Sequence, residues 1–209
     1  MLPELRPHLG GMPRADSVSF DAHKWLGVPY EAGCLMVRDI AALRRAFAMQ
    51  ATYLLPASDN EYSGDNFFDY GPQLSRSWRA LKVWMTLRYY GAEGIRTFFR
   101  QTMACARHLH DLVSASDEFE VVQPSPLLYI YAFRWAPKAL RGDDALLDRL
   151  NQEISDELQR RLIAFAMTTR IRGRVTQRLS ICSHRTTIAD IDATFAAMRD
   201  IGRELLDTP

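Results

Sequence analysis

Nine residues, LLYIYAFRW (Leu127–Trp135), restrict the fold more than any other stretch of this 209-residue chain. Their apolar and aromatic side chains do not alternate with polar ones. A strand of that kind has no face for water, so it must lie inside a sheet and be covered on both sides. Helical patterns flank it. Upstream, Phe99, Met103, Ala106, Leu109 and Val113 form one helical stripe. Downstream, Leu146, Leu150, Ile154, Leu158 and Leu162 step by four along another. FEVV (Phe119–Val122) reads as a strand, and AMTTRIRGRVTQRLSICS reads as two strands around Gly173. Asp190 is placed to cap a last helix bearing Ile191, Phe195, Met198 and Leu205. Residues 92–209 are therefore predicted to form a small α+β domain.

The first 91 residues have a different character. ADSVSF (Ala15–Phe20) and GCLMVRD (Gly33–Asp39) read as strands. Ile40, Leu43 and Phe47 predict a helix to about Met49. Leu54–Ser75 has no sustained period and is rich in Pro, Ser, Asp, Asn and Gly, which suits a lid or a disordered segment. A helix follows from about Ser77 to Tyr90, and GAEG (Gly91–Gly94) breaks it. Residues 1–91 supply too few strands for a sheet of their own, so they read as one part of a larger α/β unit.

Composition excludes several function classes. Apolar residues make up 47% and charged residues 24%, as in an ordinary soluble globular protein. A formal net charge of +1 points neither to nucleic acid nor to an acidic membrane surface. Cys34, Cys105 and Cys182 are far apart and form no CxxC, which argues against a disulfide framework or zinc site. No stretch approaches the ~20 apolar residues that span a bilayer, and MLPELRPHLGG does not read as a signal peptide. The expected location is cytoplasmic. His108 and His110 stand two apart on a helix, do not share a face, and make no metal pair. No metal ligands are expected, and His184, in a turn, receives no role.

One short stretch carries chemistry. In FDAHKWLG (Phe20–Gly27) a lysine follows a histidine and precedes an indole. A lysine is ordinarily a solvated surface charge, and with a pKa of about 10.4 it stays protonated at neutral pH. Trp25 and Leu26 offer Lys24 a partly apolar setting, and desolvation would free the amine for nucleophilic work. From the residues alone Lys24 is either a surface ammonium or an amine able to capture a carbonyl.

ADSVSFDAHKWLG resembles the lysine segment of the pyridoxal-phosphate-dependent group II decarboxylases, the family of aromatic-L-amino-acid, histidine and glutamate decarboxylases. Further stretches carry the resemblance along nearly the whole chain. ATYL (Ala51–Leu54) is similar to the family's tyrosine motif, and LSRSWRALKVWMTLRYYGAEGIR (Leu74–Arg96) to its next helix. RIRGRVTQRLSICSHRTTIADID (Arg170–Asp192) is similar to its C-terminal strand pair and closing helix. The resemblance implies an α/β fold: an incomplete fold-type I large domain over residues 1–91, then a small α+β domain over 92–209.

It also implies roles. Lys24 would form an imine with pyridoxal 5'-phosphate, and His23 would lie near the cofactor phosphate. Asp21 occupies a position that is Asn or Asp among members and would belong to the cofactor site. Tyr53 would protonate the substrate carbon after carbon dioxide leaves, and a tyrosine there favours decarboxylation over aldehyde formation. Ser75 matches a small-residue position near the substrate ring. For Arg76 and Arg79, surface charge or ion pairing stands beside a site role. The loop after Tyr53, with Gly64, would act as a lid reaching a second subunit. A homodimer and an amino-acid substrate, aromatic first, are implied. The family's other cofactor contacts are expected upstream of this region: a ring-stacking histidine, an aspartate for the ring nitrogen, and a phosphate-cradling loop. The chain is thus expected to match a C-terminal half, needing a complementing N-terminal half for activity. A non-catalytic folding or dimerisation module and a related aldehyde synthase stand as alternatives.

Overall fold

A computed structural model describes residues 2–48 and 66–207. The chain divides into two compact units, Met1–Gly91 and Ala92–Pro209.

In the first unit, two 3-10 turns at Pro3–Leu9 and Met12–Arg14 lead into a two-stranded antiparallel sheet. Its strands are β1 (Ser17–Asp21) and β2 (Gly33–Val37), paired from Ser17 opposite Val37 to Asp21 opposite Gly33. Helix α1 (Ile40–Phe47) follows at once because Asp39 caps it, its carboxylate accepting from Ala41 N–H at 2.9 Å. Arg44 on α1 pairs at 3.4 Å with Asp69, in a third 3-10 turn, Phe67–Tyr70. Helix α2 (Arg79–Ala115) starts in this unit and leaves helical geometry at Gly91, at φ 64° and ψ 177°. The expected break is thus one residue wide. Glycine takes that positive φ without a Cβ penalty, and the helix resumes directly after it.

The second unit is built around a four-stranded antiparallel sheet of order β3-β4-β6-β5. The strands are β3 (Phe119–Val121), β4 (Ile130–Trp135), β5 (Met167–Ile171) and β6 (Arg174–Ser180). A two-residue turn joins β5 to β6, with Arg172 at φ 52° and Gly173 at φ 82°, the two left-handed residues a tight hairpin needs. Helices α3 (Asp144–Arg160) and α4 (Ile188–Asp207) pack with the end of α2 against this sheet.

β4 is the strand expected to be covered on both faces, and Tyr131 to Trp135 are all buried. Tyr131, Phe133 and Trp135 enter the apolar core beside Leu109, Leu150, Ile154 and Met198. The opposite face is closed by a charge. Arg134 is wholly buried and donates at 2.6 Å to both Asp144 and Asp148 at the start of α3. Asn151 of α3 bonds the Trp135 backbone at both N–H (3.0 Å) and C=O (2.8 Å), locking helix to strand.

Two expectations are corrected at helix ends. Leu162 lies beyond α3 at φ 55° and is 92% exposed, because the chain turns there; Leu147 takes a core place instead. Asp190 is not the residue that opens α4. Thr187 precedes the helix, and Asp190 accepts from its backbone N–H while donating its own N–H to the Thr187 hydroxyl, a reciprocal capping box.

Candidate active site

The connection between β1 and β2 carries Asp21, His23 and Lys24. It is a compact loop closed by backbone bonds: Ala22 N–H to Ala32 C=O at 2.8 Å, Val28 N–H to Ala22 C=O at 3.1 Å, and Gly27 N–H to Lys24 C=O at 3.1 Å. Ala22, Val28 and Ala32 are buried together, with Leu26 and Val83 packed against them. The small apolar residues turn inward, Lys24 is left exposed, and Asp21 and His23 are half-buried.

Lys24 is therefore not desolvated as its neighbours suggested. Its side chain is 64% exposed, and Nζ lies 2.5 Å from Asp21 Oδ2. The hydrogen bond from Lys24 holds the Asp21 carboxyl below its ordinary value of 3.8. His23 is more constrained. Its Nδ1 accepts the Ala32 backbone N–H at 3.0 Å, and its ring meets Tyr30 edge-on at 4.8 Å between centroids. A neutral imidazole that accepts at Nδ1 carries its proton on Nε2, so His23 keeps one N–H donor.

Glu31, next to Ala32, is held by Arg79 at the start of α2. Arg79 Nε donates to Glu31 Oε1 at 2.9 Å, and Nη2 donates to the same oxygen. That hydrogen bond, and then the guanidinium charge, keep Glu31 below its ordinary 4.5. A surface groove of about 610 Å³ runs past Glu31, Gly33, Arg76, Trp78 and Arg79. Ser75 is exposed just before α2 and does not line that groove. Arg76 donates to Phe67 C=O at 2.7 Å. Tyr53 and the loop with Gly64 lie outside the described residues.

The structure brings Asp21, His23 and Lys24 together. It adds Glu31 and Ala32, which the sequence did not single out, and it shows Arg79, for which ion pairing stood beside a site role, paired with Glu31. Ala32 acts through its backbone, and no side-chain pattern announces that.

The family model for the pyridoxal-dependent decarboxylase conserved domain matches residues 1–136. The chain belongs to this family. An aromatic-L-amino-acid decarboxylase of Bacillus atrophaeus is 30% identical over 94% of the chain and 41% of its own length. Tyrosine decarboxylase 4 of Petroselinum crispum is 31% identical over 98% of the chain and 41% of its own length. Among solved structures, Oryza sativa TDC with PLP and tryptamine superposes with a TM-score of 0.88 at 28% identity, over 98% of this chain and 42% of that one. The fold is a partial fold-type I decarboxylase fold, and the chain spans about 41% of the length of these curated relatives.

Members of this family use pyridoxal phosphate. The residues present fit such a group: a primary amine open to solvent, and beside it an imidazole with one N–H to give. Among the described residues no cluster of His, Cys, Asp and Glu fits a metal ion. No described helix is long and apolar enough to cross a membrane.

Proposed function

We propose that this chain supplies the lysine-bearing portion of an amino-acid decarboxylase that releases carbon dioxide from an L-amino acid, with aromatic amino acids favoured. The observation that carries the reading is the β1–β2 loop, where an accessible amine follows a histidine of fixed ring orientation. Pyridoxal phosphate, when bound, supplies the electron-accepting chemistry that carbon dioxide loss requires. This chain's residues do the rest. Lys24 Nζ makes the covalent attachment, once it has left its ion pair with Asp21. His23 Nε2–H donates to an anionic oxygen. The Tyr53 hydroxyl gives a proton to the substrate carbon, and the loop behind it excludes water. Ser75 lies beside the substrate ring.

The aromatic preference draws on relatives named for tyrosine and tryptophan decarboxylation, and on a Catharanthus roseus tryptophan decarboxylase solved in complex with L-tryptophan at 26% identity. Homodimer formation and a cytoplasmic location belong to the same proposal; three unpaired cysteines suit a reducing compartment.

A second reading has its own support. Trp78, just before α2, and Trp84, Met85, Leu87, Tyr89 and Tyr90 on its first part are exposed, the kind of apolar surface that marks an interaction site. On that reading the chain alone is a non-catalytic folding or dimerisation module, and turnover needs the family's remaining portion. The test is carbon dioxide release from tyrosine, tryptophan, histidine and glutamate. It is run with the chain alone and with a relative's preceding segment added, scoring amine against aldehyde plus ammonia. Amine and carbon dioxide upon complementation support the decarboxylase. No release in either mixture supports the module, and aldehyde with ammonia points to an aldehyde synthase.

A further inference from the structure

Arg79 stands 55 residues from Lys24, at the first turn of α2, yet a short line of contacts joins them. Arg79 clamps one oxygen of Glu31 with two N–H groups and is steadied by Gln73 Oε1 at 3.3 Å from its Nη1. Glu31 is bonded directly to Ala32 in the chain. Ala32 is buried and works in both directions: its C=O accepts Ala22 N–H at 2.8 Å, and its N–H donates to His23 Nδ1 at 3.0 Å. His23 immediately precedes Lys24.

We propose that Arg79 is a positioning residue for the lysine loop, and that its clamp on Glu31 sets the Ala32 N–H against His23 and thereby holds His23 as the Nε2–H tautomer. A peptide N–H must be aimed at the ring nitrogen to hold one tautomer. The Ala32 side chain is a methyl with no donor or acceptor to fix that peptide. Its orientation is set by the bond to Ala22 on one side and by the anchored Glu31 on the other. A lysine in place of Arg79 could reach Glu31 but could not offer two N–H groups from one planar fork. The consequence for Lys24 rests on the cofactor reading above, because a His23 of the wrong tautomer would present a lone pair, not a donor, to an anionic group. The relay itself does not depend on that reading.

The test is the ¹⁵N spectrum of the His23 side chain in the full chain, at about pH 8 where imidazole is neutral. The signal is identified among the five histidines by its loss in His23→Asn. The wild type is expected to show Nε2 protonated and Nδ1 bare. Arg79→Ala should shift the tautomer ratio toward Nδ1–H by roughly fivefold, the change one net hydrogen bond supports, and Arg79→Lys by less. A structural ion pair would lower stability without moving that ratio. A mixed tautomer in the wild type overturns the proposal, as does an unchanged ratio in a folded Arg79→Ala. If Arg79→Ala does not fold, Arg79→Gln is read in the same way. Trapping with pyridoxal phosphate and borohydride separates the two readings. A shifted ratio together with slower labelling of Lys24 supports both. A shifted ratio with no labelling of Lys24 in any variant keeps the relay and removes the cofactor reading.

Discussion

Lys24 Nζ sits 2.5 Å from Asp21 Oδ2 with most of its side chain in solvent. A carboxylate at that distance favours the ammonium, so the amine must shed a proton and a partner before it attacks a carbonyl. Asp21→Asn is therefore expected to speed capture of pyridoxal phosphate at neutral pH by about two- to fivefold, the range an exposed ion pair supports. The check is the time course of borohydride-trapped product, and a slower variant would contradict this account of Asp21. The identity of Lys24 was legible in FDAHKWLG; its environment was not. Trp25 and Leu26 implied desolvation, but the burial in this loop falls on Ala22, Val28 and Ala32. A periodicity argument has no purchase on a loop, where backbone bonds decide which side chains turn in. The same limit hid the partner of His23, a backbone N–H nine residues away.

At the scale of elements, the continuous apolar run of β4 announced a doubly covered strand, and the stripe from Phe99 to Val113 is buried along α2. What the pattern could not reveal was a charge as part of the cover. Arg134 reads as an interruption in LLYIYAFRW, yet it is fully buried because two aspartates one turn apart on α3 meet its guanidinium. Gly202 was likewise silent. On α4 it lies against the Trp135 indole, and a Cβ placed there would come within 2.4 Å of the ring. Gly202→Ala is thus expected to destabilise the second unit by about 1–3 kcal/mol through overpacking, despite alanine's better helix propensity. Urea denaturation followed by far-ultraviolet circular dichroism measures it. A variant as stable as the wild type would show that α4 and Trp135 are not in close contact.

For the whole molecule, the second unit has a closed core, whereas the first presents a two-stranded sheet and an aromatic helix face to water. The shortage of strands before residue 91 made that imbalance readable. What covers that face was not readable, because an exposed apolar run does not name its partner; the chain spans about 41% of the length of these relatives. Charge sets the pH range of stability. Asp144 is held below 3.8 by its bond from Arg134, Asp117 by Lys138, and Asp190 by Thr187. The folded chain then binds fewer protons than the unfolded one, so these contributions are complete above 3.8 and are lost as pH falls through the folded values. Tyr131 is opposite in sign. Burial first, and then the Asp111 charge, push it from 10.0 up to about 12. Its contribution is complete below 10.0 and is lost as pH rises from there to about 12. The urea midpoint is expected to form a plateau that falls at both ends, and a midpoint still rising above pH 10.0 would contradict the placement of Tyr131.

The chain has only three lysines, Lys24, Lys82 and Lys138, against a much larger number of arginines. So few amines make the site of covalent capture simple to locate. The full chain is incubated with pyridoxal phosphate, reduced with borohydride, digested and mapped by mass spectrometry. The phosphopyridoxyl mass is expected on Lys24 well ahead of Lys82 and Lys138. Label spread evenly over the three, or absent from Lys24, would contradict it.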